Sequence, residues 1–169
     1  GVNKKRKAEG LEPFKPIYIQ RITQLTNKSN QFNLTTRRYT QSEMEELANS
    51  DRHITLYGKL SDKFGDNGLI AVVIMRPLDS ESLFVDTWFM SCRVLKRGME
   101  NFTLNTIVEY AKVNGYNQII GEYLPTAKNG MVAEHYTGLG FTKLEGTEAA
   151  QWALVVDTYV NRECYIKTK

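Results

Sequence analysis

The stretch from Leu83 to Leu124 limits the possible folds of this chain more than any other. Leu83-Phe84-Val85-Asp86-Thr87-Trp88-Phe89-Met90 reads as a strand, and Ser91-Cys92-Arg93-Val94-Leu95-Lys96-Arg97-Gly98 as a turn. A helix then runs from Gly98 to Val113, with Met99, Phe102, Thr106, Val108 and Tyr110 at candidate buried positions and Gly115 as its stop. Gln118 to Leu124 is strand-like again. Two strands joined through a helix imply parallel pairing nearby, because antiparallel neighbours need only a hairpin.

Hairpins surround this unit. Ile54 to Leu60 alternates as a strand, Asp62 to Gly68 supplies turn residues that tolerate positive φ, and Leu69 to Met75 is a nearly continuous apolar run suited to a central strand. Pro77-Leu78-Asp79-Ser80 turns the chain into the Leu83 strand, which is a third antiparallel member. Farther on, a short helix ends at Gly138, and strands at Phe141 to Leu144 and Gln151 to Val156 close the domain. Before the sheet, a helix begins near Ile17 with Tyr18, Ile22 and Leu25 at helical spacing. A second runs through Met44 and Leu47, with Ser42 as its predicted N-cap and Glu45 as the capping-box partner. Residues 1–15 read as a linker or a weak first strand, and 16–169 as one α/β domain whose sheet is mixed and mostly antiparallel.

Composition narrows the function classes. At 169 residues, 41% hydrophobic and with a net charge of +3, the chain is long enough for a real core and too weakly charged to imply a nucleic-acid partner. Its one basic run, Lys4-Lys5-Arg6-Lys7, reads as a solvated tail. Cys92 and Cys164 are too few and too far apart for a zinc site or a disulfide framework, and no apolar stretch is long enough for a membrane span. No metal and no membrane are expected, and the reducing cytoplasm is the expected compartment.

Several residue types point to chemistry. The Arg93-to-Gly98 turn offers unpaired backbone N–H groups and a positive helix end to an anion, diphosphate being the natural candidate. Cys92 reads either as a nucleophile, its thiolate favoured by the same helix end and by Arg93, or as a small apolar residue at a strand end. Glu122 reads either as a general base in a desolvating cleft or as a paired structural carboxylate. His53 and His135 read as surface histidines, with His135 on a different helix face from Tyr136.

The element order, with the Arg93 turn at one helix and Asn129-Gly130-Met131-Val132-Ala133-Glu134-His135-Tyr136 and Gly138-Leu139-Gly140-Phe141 at the next, resembles the GNAT acyltransferase superfamily. That resemblance maps Arg93, Lys96 and Gly98 onto the turn that binds the diphosphate of coenzyme A, with Val94, Leu95 and Arg97 between them. It also implies that Asn129 lines the pantetheine arm and that Tyr136 protonates a leaving thiolate; the other reading of Tyr136 is a ring packed on the sheet with a satisfied hydroxyl. Lys96 departs from the pattern: it stands where the superfamily has its first glycine, a side chain in the path of the diphosphate and an ammonium beside it.

A narrower resemblance runs from Pro16 to Phe141. The string Gln24 to Thr40, with Asp62 to Gly68, Ser91 to Leu95 and Gly121 to Asn129, is similar to the carboxyl-terminal half of FkbH-like proteins. These join a HAD-type half to a GNAT-like half in methoxymalonyl-type extender biosynthesis for polyketides. The resemblance implies transfer of a glyceryl unit to an acyl carrier protein, a thioester of phosphopantetheine or coenzyme A, and a HAD-type half in a longer chain. The Asp-x-Asp-x-Thr motif of that half does not occur in this sequence. It also implies that Asn33, Thr35, Arg37 and Arg38 face the acceptor cleft, where amides suit a hydroxylated ligand and guanidinium a carboxylate or phosphate. If Thr35 to Tyr39 is a strand, only one of the two arginines reaches the site. The alternative to catalysis is a noncatalytic module that docks a carrier protein.

Overall fold

The computed structural model describes residues 11–28, 32–62, 65–90 and 99–162. Among them one seven-stranded sheet forms, from β1 (Leu11–Pro13), β2 (Ile54–Asp62), β3 (Gly65–Pro77), β4 (Ser82–Met90), β5 (Gln118–Tyr123), β6 (Thr142–Lys143) and β7 (Ala150–Val155). The spatial order is β1-β2-β3-β4-β5-β7-β6. Every pair is antiparallel except β4 with β5, the pair joined through a helix. Four helices complete the architecture: α1 (Ile19–Lys28), α2 (Gln41–Asn49), α3 (Met99–Val113) and the single-turn α4 (His135–Gly138). A 3-10 turn at Pro16–Tyr18 leads into α1, so the expected start near Ile17 falls two residues early.

Two hydrophobic layers form because β3 is apolar at successive positions and both faces must be covered. Ala71, Val73 and Met75 pack with Phe102, Ile107, Tyr110 and Ala111 of α3 and with Tyr136 of α4. Val72 and Ile74 pack on the other face with Ile19 and Ile22 of α1 and Met44 of α2. The helix α3 stops at Gly115, whose φ of 82° lies in the left-handed region that glycine adopts without steric cost. β1 is an edge strand on β2 and contains Pro13, whose missing N–H is tolerated there.

The α2 cap differs from the sequence expectation. Thr40, not Ser42, is the N-cap: its side chain accepts from the Glu43 N–H at 3.1 Å, and the Glu43 carboxylate accepts from the Thr40 N–H at 2.8 Å. Both Thr40/Glu43 and Ser42/Glu45 fit the capping-box spacing, and the pair that coincides with the end of an extended segment wins.

The decisive irregularity lies in β4. Ile74 pairs with Thr87 and Met75 with Val85, so Asp86 is an extra residue with no partner on β3. Such a bulge re-aims the side chain it carries and reverses the in–out alternation beyond it. Accordingly Leu83 and Val85 before it, and Trp88 and Met90 after it, all join the layer under α3 and α4.

Replacement of Thr40 by alanine removes the side-chain half of the α2 cap and should destabilise the fold by about 1 kcal/mol. Urea denaturation should show a lower midpoint with an unchanged slope.

Candidate active site at the fork between two strands

β4 and β5 pair from Ser82/Gln118 to Val85/Gly121, and the pairing stops at the Asp86 bulge. Beyond that point the two strands part, and the space between them is taken by residues 32–35 of the same chain. Phe32 O accepts from Met90 N–H at 3.1 Å, the Leu34 N–H donates to Trp88 O at 3.2 Å, and Asn33 bridges Phe89. On the other side the Leu124 N–H donates to Leu34 O at 2.9 Å. This strap therefore uses the backbone edge that β4 presents in the fork.

The polar side chains of the strap bond to the protein's own backbone. Asn33 and Thr35, expected to face a ligand, are both buried. Asn33 Oδ1 accepts from the Thr36 N–H at 2.9 Å, and Thr35 Oγ1 donates to Asp86 O at 2.8 Å. Asn129, expected to line a pantetheine arm, is buried and locks the strap from the far side. Its Nδ2 donates to Asn33 O at 3.1 Å and to Leu124 O at 3.0 Å, and its Oδ1 accepts from the Thr126 N–H at 2.7 Å.

On the α1/α2 side of the fork lies a polar network. Arg37 Nη2 contacts Glu122 Oε1 at 2.6 Å, and Arg37 Nη1 donates to Asp86 O at 2.8 Å, so one guanidinium spans β4 and β5 where they separate. Gln151 Nε2 donates to the second Glu122 oxygen at 3.0 Å. Of the two readings of Glu122, the geometry is that of a paired carboxylate. Asp86 Oδ2 accepts from the Tyr39 hydroxyl at 2.6 Å and from Thr87 Oγ1 at 3.0 Å. Burial, with the Asp86 hydrogen bond second, pushes the Tyr39 phenol well above its ordinary value. Arg76 lies over the Phe84 ring at 4.6 Å, with its Nε 3.9 Å from Asp86 Oδ1.

The sequence reading missed Asp86 as a site residue, although a carboxylate inside the apolar run Leu83–Met90 is a visible signal. The segment 35–39 is not a strand, since Thr36 sits at a φ of 50°. The two arginines still part, Arg37 to the fork and Arg38 Nη1 to Thr26 O at 2.5 Å.

The α3/α4 side is aromatic. Tyr136 lies flat on Gly121, so that a Cβ there would overlap Tyr136 Cζ and both ε carbons. Gly121 and Glu122 face opposite ways along β5, which places Tyr136 and the Glu122 carboxylate on opposite faces of the sheet. The Tyr136 hydroxyl is buried without a well-formed hydrogen bond, and burial raises its pKa strongly; the Glu122 charge adds to the shift, while the Glu122 backbone N–H and the Arg37 charge oppose it. His135 corrects the expectation of a surface residue. The residue is partly buried with Nε2 shut off from solvent, and its ring centroid lies 4.4 Å from Trp88, 5.1 Å from Phe32 and 5.2 Å from Tyr136. Desolvation lowers its pKa to about 3, so the ring is neutral. His53 is half-buried, with Nδ1 2.9 Å from Ser50 Oγ, and burial lowers its pKa.

Cys92, Arg93, Val94, Leu95, Lys96, Arg97 and Gly98 lie outside the described residues. Among the described residues no group of three or more His, Cys, Asp or Glu is placed to hold a metal, and no helix is long and apolar enough to cross a membrane.

Solved structures with this architecture identify it. The GNAT domain of S. lividans PAT superposes with a TM-score of 0.68 at 13% identity, over 86% of this chain and 89% of that one. The fold is the GNAT acyltransferase fold. Rv2747 from Mycobacterium tuberculosis, solved in complex with CoA, matches at a TM-score of 0.65 and 12% identity, over 86% of this chain and 98% of that one. Ard1 from Thermoplasma volcanium matches at 0.66 and 11%, over 88% and 98%. No family model matches the chain and no curated protein matches it in sequence, which leaves the FkbH-like resemblance without support from those comparisons.

Gly121→Ala should cost roughly 2 kcal/mol, because the added methyl must displace the Tyr136 ring from a packed core. A lowered thermal midpoint checks this. The depressed pKa of His135 sets a second outcome. Below about pH 6.5 the unfolded chain takes a proton that the folded imidazole refuses until about pH 3, so acid weakens the fold through this window. The effect is at most about 1.4 kcal/mol per pH unit. Stability of His135→Phe, followed by urea denaturation from pH 7 to 4, should fall less steeply than that of the unaltered protein.

Proposed function

We propose that this protein is an acyltransferase that takes its acyl group from a thioester, either coenzyme A or the phosphopantetheine of an acyl carrier protein. The observation that carries this reading is the fully enclosed Tyr136 hydroxyl, which has no well-formed hydrogen bond, beside the strand fork of a GNAT fold. A buried polar atom without a partner in a native fold calls for one. Burial keeps the phenol protonated at neutral pH, which is the state required of a donor to a departing thiolate. The thioester supplies the activated acyl group. The Arg37 bridge to Glu122 and Asp86 holds the two arms of the fork at fixed separation while that group is handled.

The finer reading follows the FkbH-like strings. The acyl group is a small hydroxylated one such as glyceryl, the partner is an acyl carrier protein, a HAD-type half works alongside in the same longer chain, and the compartment is the cytoplasm. In this reading the Arg93-to-Gly98 turn positions the thioester arm, Asn129 acts only by fixing the strap, Arg38 meets an anionic group of the substrate, and Cys92 either relays the acyl group or leaves transfer direct.

A second reading, carrier docking without chemistry, is favoured by the strap, because the β4 edge in the fork is already hydrogen-bonded to Phe32 and Leu34. Turnover of acetyl-coenzyme A and of glyceryl-loaded carrier protein by the unaltered protein and by Tyr136→Phe separates the two. Acyl transfer predicts that Tyr136→Phe loses about 100-fold or more in kcat with the fold intact. Equal rates with undiminished carrier binding would establish docking instead. Intact-protein mass spectrometry of the unaltered protein and of Cys92→Ser after mixing with the glyceryl-loaded carrier shows whether the group rests on sulfur.

A further inference from the structure

Next to the strap a cavity of about 330 Å³ opens to solvent, lined by Thr36, Arg38, Thr126, Ala127 and Lys128. Of the described residues that line it, Arg38 and Lys128 are cationic and none is acidic. It belongs neither to the Tyr136 enclosure nor to the Arg37 network: its walls are the loop after Thr35 and the loop after Leu124. These walls are fixed to each other before any ligand arrives, by Asn129 Nδ2 donating to Asn33 O and by Leu124 N–H donating to Leu34 O.

Each wall is also held internally. Arg38 Nη1 donates to Thr26 O, which ties the guanidinium to α1. Thr36 takes a left-handed backbone conformation, rare for a β-branched residue, with its N–H donating to Asn33 Oδ1. Thr126 is clamped at both ends, its N–H on Asn129 Oδ1 and its Oγ1 accepting from the Lys128 N–H at 3.2 Å and the Asn129 N–H at 3.1 Å. A guanidinium with several N–H groups in one plane and an ammonium on a flexible stem form a complementary pair for an oxyanion. The first gives geometry and the second mobile charge. The volume suits a small molecule or the end of a longer one rather than a bare ion.

We propose that this cavity binds an oxyanion, the phosphate or carboxylate of a molecule that takes part in the reaction, with Arg38 and Lys128 as its ligands. Its assignment to a reacting molecule rests on the acyl-transfer reading, whereas the anion site itself does not. Two sources share this chemistry: the phosphate of a phosphopantetheine arm and the acid group of a small hydroxy acid.

Calorimetric titration of the full chain with inorganic phosphate tests the site. Saturable binding is expected, weakened about tenfold in Arg38→Gln and severalfold in Lys128→Met. Lys128 is exposed and forms no side-chain bond that the loop depends on in the structure, so its variant keeps the test valid if Arg38→Gln fails to fold. Displacement of phosphate by 4′-phosphopantetheine identifies the carrier arm as the source, and displacement by glycerate identifies the small acid. Absence of saturable binding, or equal affinity in Lys128→Met and the unaltered protein, overturns the proposal. Because binding is read without turnover, an inactive protein that binds phosphate removes the acyl-transfer reading and leaves the subsite. An active protein indifferent to both variants removes the subsite alone.

Discussion

One unpaired residue in a central strand organises this molecule. Asp86 stands opposite nothing on β3, and the extra length it puts into β4 coincides with the point where β5 stops following. A regular strand would have continued the parallel ladder and kept its in–out alternation. Trp88 would then have faced α1 and α2, leaving Tyr136 without the ring that packs 6.0 Å from its own. The bulge also carries a carboxylate into the interior, where it accepts from Tyr39 and Thr87 and lies within reach of Arg37 and Arg76. A buried charge without such company would be costly, so the polar network and the fork arise from one irregularity.

The two sides of the fork have opposite characters, and each suits a different task. Around Arg37, charges are paired and geometry is fixed by bonds from three strands and a loop. Around Tyr136, the surroundings are rings and a bare glycine, and the Tyr136 hydroxyl, His135 Nε2 and Trp88 Nε1 make no well-formed hydrogen bond. Apolar enclosure strengthens any hydrogen bond formed there, and neutrality of His135 avoids a competing charge beside the phenol.

Much of the fold was legible because its signals are local. The β-branched run Leu69–Met75, the helix before Gly115 and the helical link into Gln118 each follow from spacing within about a dozen residues. They led to the central strand, the stop and the parallel pair. What sequence could not reveal depends on pairing at a distance. Asp86 looks like one polar residue in a strand until β3 is laid against it, and Asn33 looks ligand-facing until Asn129 reaches it. His135 looks exposed because one helical turn does not announce which rings will close over it. The Thr40 cap shows the smaller version of the same limit, since two overlapping boxes compete and only the preceding backbone decides between them.

The bond from Asn129 to Asn33 spans 96 positions of the chain. Contacts of that separation close large loops and tend to form after the local hairpins that precede them. A growing chain that has made β2, β3 and β4 therefore still lacks the lock on the strap, the floor under Tyr136 and the far wall of the cavity. All three arrive with β5 and the residues that follow it. The order of synthesis thus withholds the site until the sheet is nearly complete, and an incomplete product has the outline of the fold without its working centre.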